Sequence, residues 1–220
     1  MITDEGAAAL LATADGCLVL SHRLSEWMSN APTMEEDIAL GNIALDLLGQ
    51  ARGLLQLIGD EDELAYFREA QDWRNPLICE LPNGDFAFTM LRLLFVSAWL
   101  EQVWRTLEGD AAGVAEKAVK ENAYHLRHSA SWVVRLGDGT EESHRRMLAA
   151  LDELWPYRGE IASHDWYSRL EAVLTEATLP MPDREAWTQR SSADGWHTEH
   201  LGYLLADMQS LARAHPGATW

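Results

Sequence analysis

The stretch 111–136 constrains the fold most, because its residue spacing fits a long helix better than any other regular element. Side chains at steps of three and four residues share one helix face. In this stretch they are Ala118, Asn122, His125, Ser129, Trp132 and Leu136. Charged residues occupy much of the remaining surface, so the sequence predicts that this mixed face points into the protein.

Three further stretches, 4–27, 33–58 and 86–108, predict helices of similar length, with Thr33 and Asp85 as N-caps. Thr140 caps a fifth helix, and shorter helices are predicted at 63–70, 163–177 and 196–214. No alternating strand pattern of useful length occurs, so the predicted fold class is all-α. Helices of roughly 23 to 26 residues are about 35 to 39 Å long. The chain is therefore predicted to form one domain, 1–220: a ferritin-like, elongated four-helix bundle with additional C-terminal helices.

The charge and composition exclude several classes of protein. Lys and Arg number 17 against 35 Asp and Glu, a formal net charge of −18, which disfavours nucleic-acid and anionic membrane partners. The acidic N-terminus lacks the basic region of a signal peptide, and no apolar run reaches the roughly 20 residues of a membrane span. The two cysteines, Cys17 and Cys79, form no disulfide framework. We therefore expect a cytoplasmic protein.

The pair Asn122 and His125 has the i, i+3 spacing of the Glu-x-x-His motif of di-iron helix bundles, with Asn at the carboxylate position. The second helix presents Leu47 and Gln50 at the same spacing. Leucine cannot ligate a metal, and an amide is a poor ligand for iron. His125 is therefore interpreted as a hydrogen-bonded core histidine.

A di-iron site also needs one carboxylate on each of two other helices. The first and third helices offer Glu26 and Glu101. Even together with His125 these give two carboxylates and one histidine, so no intact metal site is expected. No catalytic or substrate-binding residue can be assigned.

A second cluster, His197-Thr198-Glu199-His200, is predicted at the start of the last helix. His197 and His200 would share a helix face, but one turn supplies two good metal ligands at most. We interpret the cluster as part of a surface or an interface, and the sequence does not assign its role.

Six stretches of the chain resemble the C subunits of bacterial phenylacetyl-CoA epoxidases, also called ring 1,2-phenylacetyl-CoA monooxygenases. They are HRLSEW at 22–27, EEDIALGNIALDLLGQAR at 35–52, LPNGDFAFT at 81–89, KENAYHLRHSASWVVRLGDGTEESHRRM at 120–147, LWPY at 154–157 and HTEHLG at 197–202. The second stretch and the latter part of the fourth are long enough to be specific.

The resemblance implies a ferritin-like fold and a place in a multicomponent oxygenase. In that family a related A subunit holds the di-iron site and oxidises the ring. A B subunit and a reductase with FAD and an iron–sulfur centre complete the system. The C subunit is a non-catalytic, structural partner of A. No cofactor is therefore expected in this chain, and phenylacetyl-CoA is expected to be a ligand of the complex.

The resemblance also implies which positions of this chain correspond to the metal ligands of the catalytic subunit. They are Glu26, Leu47, Gln50, Ser97, Asn122 and His125. Only Glu26 and His125 have the type of side chain that binds iron in the catalytic subunit. The ligands are thus expected to be lost from a scaffold of the same shape.

Two alternatives to a scaffold subunit are left open by the sequence. One is an independent ferritin-like oxidase with a site built from Glu26, Glu101 and His125. The other is a helical interaction module unrelated to oxygenases. The second helix is apolar on two neighbouring stripes, which predicts a large interface with a partner. The chain is expected to self-associate through the same faces when it is alone.

Overall fold

The computed structural model describes residues 3–186 and 191–218, and in these ranges the chain is helical and contains no strand. The all-α prediction is confirmed. The α-helices are α1 (Asp4–Ser25), α2 (Met34–Ile58), α3 (Leu77–Glu80), α4 (Phe86–Thr106), α5 (Ala112–Gly137), α6 (Glu141–Leu154), α7 (His164–Glu176) and α8 (Glu199–Ala214).

Side-chain caps fix where the helices begin. Thr33 Oγ1 and Asp85 Oδ1 each accept a hydrogen bond from the backbone N–H three residues later, at 3.4 and 3.0 Å. At α6, Thr140 and Ser143 form a reciprocal capping box, each side chain accepting from the other's backbone N–H. The three N-caps predicted from the sequence are confirmed, because capping depends on residues that are neighbours in the chain.

Three boundaries differ from the prediction. The first helix ends at Ser25, and Glu26 is its C-cap. The short helix expected at 63–70 is a π-helical turn, Glu63–Phe67, followed by a 3₁₀ turn, Ala70–Asp72. The last helix begins at Glu199 rather than at position 196, because Thr198 caps it.

The described residues divide into two compact units. Of the described residues, unit 1 comprises 3–82, 109–114 and 191–218, and unit 2 comprises 83–108 and 115–186. Unit 1 therefore contains α1, α2, α3 and α8, and unit 2 contains α4, α6, α7 and most of α5. The single domain 1–220 and the four-helix bundle stay predictions.

In unit 1, α1 and α2 form an antiparallel pair. Ser21 Oγ donates to Ala44 O at 2.7 Å, and the earlier Cys17 reaches the later Gln50. α8 is attached to the π-helical turn, because Gln209 Nε2 donates at 3.2 Å to the carbonyl oxygens of Ala65, in that turn, and of Arg68, its C-cap.

In unit 2, α4 is buried along most of its length. The indole Nε1 of Trp166, on α7, donates to the carbonyl of Phe95 at 2.9 Å. Trp155 packs edge-on against the Phe95 ring, with ring centroids 6.0 Å apart. Both tryptophans are buried in the core of unit 2.

Two helices, α1 and α4, are long and apolar enough to cross a membrane by length and composition. Asp15 interrupts the apolar residues of α1 and Arg92 those of α4, so neither helix contains the unbroken apolar run of about 20 residues that the sequence analysis looked for. In each helix most of the apolar window is buried inside the protein, 67% in α1 and 72% in α4. Core helices of a folded protein pass the same test.

Candidate functional site

In unit 1 the positions that correspond to a first metal motif are occupied by core residues. Leu47 is fully buried and Gln50 nearly so. Gln50 Oε1 faces the thiol of Cys17 on α1, at an Sγ–Oε1 distance of 3.9 Å. Burial raises the pKa of the Cys17 thiol well above its usual range, and the neighbouring Cys79 raises it further. The thiol therefore stays protonated and can donate to the amide oxygen.

Glu26, at the end of α1, is held in an ion pair. Its Oε1 lies 2.8 Å from Arg23 Nη1, and its side chain is 40% exposed. The same guanidinium donates through Nη2 to the carbonyl of Glu80 at 2.7 Å. Arg23 thus neutralises the carboxylate and ties the end of α1 to α3.

In unit 2 the second motif position makes a hydrogen bond that a carboxylate could not make. Asn122 and Ser97 are both buried. Asn122 Nδ2 on α5 donates to the carbonyl oxygen of Ser97 on α4 at 2.9 Å. A carboxylate accepts hydrogen bonds but cannot donate one when ionised. The amide at this position therefore joins two helices.

His125 lies one turn after Asn122 on α5 and is fully buried, as the sequence predicts. Ser129 Oγ donates to the backbone carbonyl of His125 at 2.7 Å. The Tyr124 ring stands edge-on to the imidazole, with centroids 6.3 Å apart. The imidazole is part of the packed interior of unit 2.

Glu101, on α4, has two arginine partners. Arg105 Nη2 lies 2.8 Å from Glu101 Oε1, and Arg169 of α7 binds both carboxylate oxygens at 2.9 and 2.8 Å. The three side chains line a surface groove of about 600 Å³. Glu101 therefore links α4 to α7 at the surface of unit 2.

These side chains do not fit a di-iron centre. Unit 1 supplies one ion-paired carboxylate, an amide and a leucine at the motif positions, and unit 2 supplies a serine, an amide and one imidazole. Two iron ions need several carboxylates to bridge them and to neutralise their charge. Among residues 3–186 and 191–218, no group of three or more His, Cys, Asp or Glu side chains is arranged to hold a metal ion.

The interpretation of the cluster at 197–200 as part of a surface or an interface is wrong for His197. Its side chain is 6% exposed, and that of Glu80 is fully buried. The imidazole Nδ1 lies 3.0 Å from Glu80 Oε2, and Nε2 lies 3.0 Å from the carbonyl oxygen of Trp73. His197 precedes α8, so it shares no helix face with His200.

Glu80 is the centre of a buried polar network in unit 1. Besides His197, it accepts from the backbone N–H of Thr198 at 2.6 Å and from Asn75 Nδ2 at 3.1 Å. The sequence analysis missed this residue. The available signal was an acidic residue directly after the apolar run Leu77-Ile78-Cys79, but its partners lie up to 118 positions away in sequence.

Comparison with known proteins gives two matches. The sequence matches the family described as phenylacetic acid catabolic protein over residues 3–165 and 162–220. It is also 39% identical, over 244 aligned positions, to the C subunit of the 1,2-phenylacetyl-CoA epoxidase of Escherichia coli (strain K12). That alignment covers 97% of this chain and 98% of the relative.

Proposed function

Because the chain belongs to the phenylacetic acid catabolic protein family, we propose that it is a non-catalytic structural subunit of a multicomponent di-iron monooxygenase. The enzyme would epoxidise the ring of phenylacetyl-CoA during aerobic phenylacetate catabolism. The similar protein from Escherichia coli is the C subunit of a 1,2-phenylacetyl-CoA epoxidase, and the match covers nearly the full length of both chains.

The observation that carries the non-catalytic role is the hydrogen bond from Asn122 to Ser97 O. At this position a catalytic di-iron helix would need a carboxylate. An ionised carboxylate there would bring its oxygens, which only accept hydrogen bonds, against the Ser97 carbonyl oxygen, which also only accepts. Asn122 is matched to the backbone of α4 rather than to a cation. Its role is therefore to hold the two helices of unit 2 together.

The remaining motif positions support the same role. Leu47 has no donor atom, and Gln50 is engaged with a protonated thiol. Glu26 and Glu101 are each neutralised by arginine. These ion pairs count against an independent oxidase built from Glu26, Glu101 and His125, because such a site would have to break them.

The scaffold role assigns the chemistry to partners. The di-iron centre belongs to a catalytic A subunit, and a reductase with FAD and an iron–sulfur centre supplies electrons. A B subunit belongs to the same complex. This chain contributes no cofactor, pairs with the A subunit in the cytoplasm and contacts the acyl-CoA substrate only as part of the complex.

Iron analysis of the purified proteins tests the proposal. This chain is loaded anaerobically with ferrous iron, alone and together with the catalytic partner, and bound iron is measured after desalting. Iron should follow the catalytic partner, and the chain alone should retain none in stoichiometric amount. About two irons per chain, the content of a di-iron bundle, would contradict the scaffold role.

A further inference from the structure

The outer face of α5 carries positive charge, although the chain as a whole is strongly negative. Lys and Arg number 17 against 35 Asp and Glu in the whole sequence. The stretch 122–137, which forms the later part of α5 in unit 2, contains two arginines and no acidic residue. Both arginines, Arg127 and Arg135, are exposed. Positive charge is therefore concentrated on a part of the surface where neighbouring positions of the helix supply no acid.

The two arginines share a helix face with an exposed aromatic side chain. Residues at steps of three and four positions lie on one face of a helix. Here they are Lys120, Tyr124, Arg127, Ser131 and Arg135, all of them exposed; we call them the α5 face. Tyr124 is 40% exposed, and the two arginines are separated by about 12 Å along the helix axis. The α5 face is therefore a ridge that presents two cations about two turns apart.

Neither arginine is neutralised within the part of the chain that the structure describes. No carboxylate there forms an ion pair with Arg127 or Arg135. The guanidinium carbon of Arg135 instead lies 5.4 Å from the centre of the Trp132 ring, which packs edge-on against Phe86 at a centroid distance of 5.1 Å. A guanidinium that stacks on a ring keeps the donors along its edge free for a carboxylate. Arg135 is thus oriented before any partner binds.

Other cations on the surface are paired with acids of the same chain. In the earlier part of α5, Lys120 Nζ lies 3.6 Å from Glu116 and Lys117 Nζ lies 2.9 Å from Glu121. Several exposed arginines elsewhere are paired in the same way: Arg52 with Glu61, Arg105 with Glu101, and Arg145 with Glu142. The charge that a partner can use is therefore that of the two arginines of the α5 face.

The α5 face fits a protein rather than a small molecule, a nucleic acid or a membrane. Small-molecule sites are concave, whereas this face is the convex surface of a helix. The net charge of −18 disfavours nucleic acid and anionic membranes. Arginine and tyrosine are among the residue types that contribute most to protein interfaces, and the Tyr124 ring is held in a stack on His128 with centroids 5.6 Å apart. Shape and residue type therefore indicate a protein partner.

The charge of the α5 face determines the chemistry of that partner. Two guanidinium groups that no acid neutralises recognise carboxylates. The remainder of the chain has an excess of acids and repels an acidic segment, so such a segment is attracted at this face and rejected elsewhere. Permanent interfaces are more apolar than the α5 face. A partner bound here would therefore dissociate readily.

We propose that the α5 face is a reversible docking site for an acidic helical segment of a partner protein, with two carboxylates of that segment bound by Arg127 and Arg135 and an apolar side chain packed on Tyr124. Carboxylates eight residues apart on a helix that lies alongside α5 match the spacing of the two arginines. This contact goes beyond the proposed scaffold role and does not depend on whether the chain binds iron.

Fluorescence anisotropy with a defined probe tests the site. The probe is a labelled synthetic helical peptide with glutamates eight residues apart on one face, and the same peptide with glutamines in their place is its control. The full chain should bind the glutamate peptide and not the glutamine peptide. The double variant Arg127→Gln, Arg135→Gln should weaken binding about tenfold in dissociation constant, because two ion pairs are lost, without altering the circular dichroism.

A second pair of substitutions separates the effect of the site from that of the overall charge. The double variant Arg105→Gln, Arg145→Gln makes the chain more negative by the same amount, at side chains that are 64% and 66% exposed, and should leave peptide binding unchanged. Equal weakening by both double variants, or no binding of the glutamate peptide, would overturn the proposal. Self-association of the chain that Arg127→Gln, Arg135→Gln abolishes would also overturn it, and would assign the face to a second copy.

Discussion

Asn122 illustrates how one atom can separate a structural residue from a metal ligand. Its Nδ2 donates to Ser97 O in the interior of unit 2. Asn122→Asp replaces this donor with an acceptor, so a buried carbonyl loses its partner and a carboxylate is buried beside it. We expect a loss of about 1–3 kcal/mol in the free energy of unfolding, measured by urea denaturation.

The control for this variant is Asn42→Asp, because Asn42 is exposed on α2. That substitution should change the free energy of unfolding by less than about 0.5 kcal/mol. Unchanged stability of Asn122→Asp, combined with stoichiometric iron binding, would show that position 122 has kept its capacity as a ligand site.

His197 supports a second prediction at this scale. His197→Ala removes the hydrogen-bond partner of a fully buried carboxylate and of the Trp73 carbonyl. We expect a loss of about 1–3 kcal/mol and faster amide hydrogen exchange in α8, which follows directly after this residue. His200 lies two residues after the N-cap Thr198. His200→Ala should change neither the free energy of unfolding nor the amide hydrogen exchange of α8. If His197→Ala and His200→Ala had equal effects, the prediction that only the buried histidine stabilises unit 1 would be contradicted.

The site residues divide by how far away their partners lie in sequence. His125 could be placed in the interior from helix periodicity alone, since its neighbours on the helix face are three and four residues away. The surroundings of His197 could not, because Glu80 and Trp73 are 117 and 124 positions away. Periodicity identifies a buried face but does not identify what that face meets.

At the scale of the helices, caps were predictable and irregular turns were not. Thr33, Asp85 and Thr140 cap helices as expected, because each cap acts on a backbone N–H within three residues. The segment 63–70 was expected to form one short helix, but Arg68 leaves the helical conformation, with ψ at 144°. Its guanidinium donates to the buried carboxylate of Asp15. Because Asp15 lies 53 positions earlier in the chain, helix propensity, which depends on neighbouring residues, could not predict this contact.

The first turn of α6 gives a prediction about pH. Hydrogen bonds from Arg145 and then Arg146 lower the pKa of Glu142 to about 2. A carboxyl group whose pKa is lower in the folded state contributes stability above its unfolded pKa, here 4.5, and loses it as the pH falls towards the folded value. Glu142→Gln should therefore lower the urea midpoint at pH 7, and the difference should shrink below pH 4.5.

The size of this effect should be small, because the carboxylate is exposed and such ion pairs are screened. Adding 1 M salt should reduce the difference at pH 7. Glu141→Gln serves as the comparison in the same turn, since Arg145 and Arg146 both bind Glu142. A difference that grows on acidification would contradict the assigned direction of the pKa shift.

At the scale of the whole molecule, the proposed scaffold role predicts where turnover resides. This chain with the reductase alone should not oxygenate phenylacetyl-CoA, because the side chains at its motif positions do not fit two iron ions. Activity should appear when the di-iron catalytic partner is added. Product formation by this chain and the reductase, without that partner, would refute the proposed division of roles.

The contact between Glu80 and His197 also has a consequence for biosynthesis. The two residues are 117 positions apart, and the ribosome adds about 5–20 residues per second. Roughly 6 to 23 seconds therefore pass after Glu80 is made before its histidine partner exists. During that interval α3 and the segment carrying Trp73 cannot reach their final arrangement. Unit 1 thus finishes folding only after His197 has been synthesised, and a nascent chain stalled before α8 would be a natural substrate for chaperones.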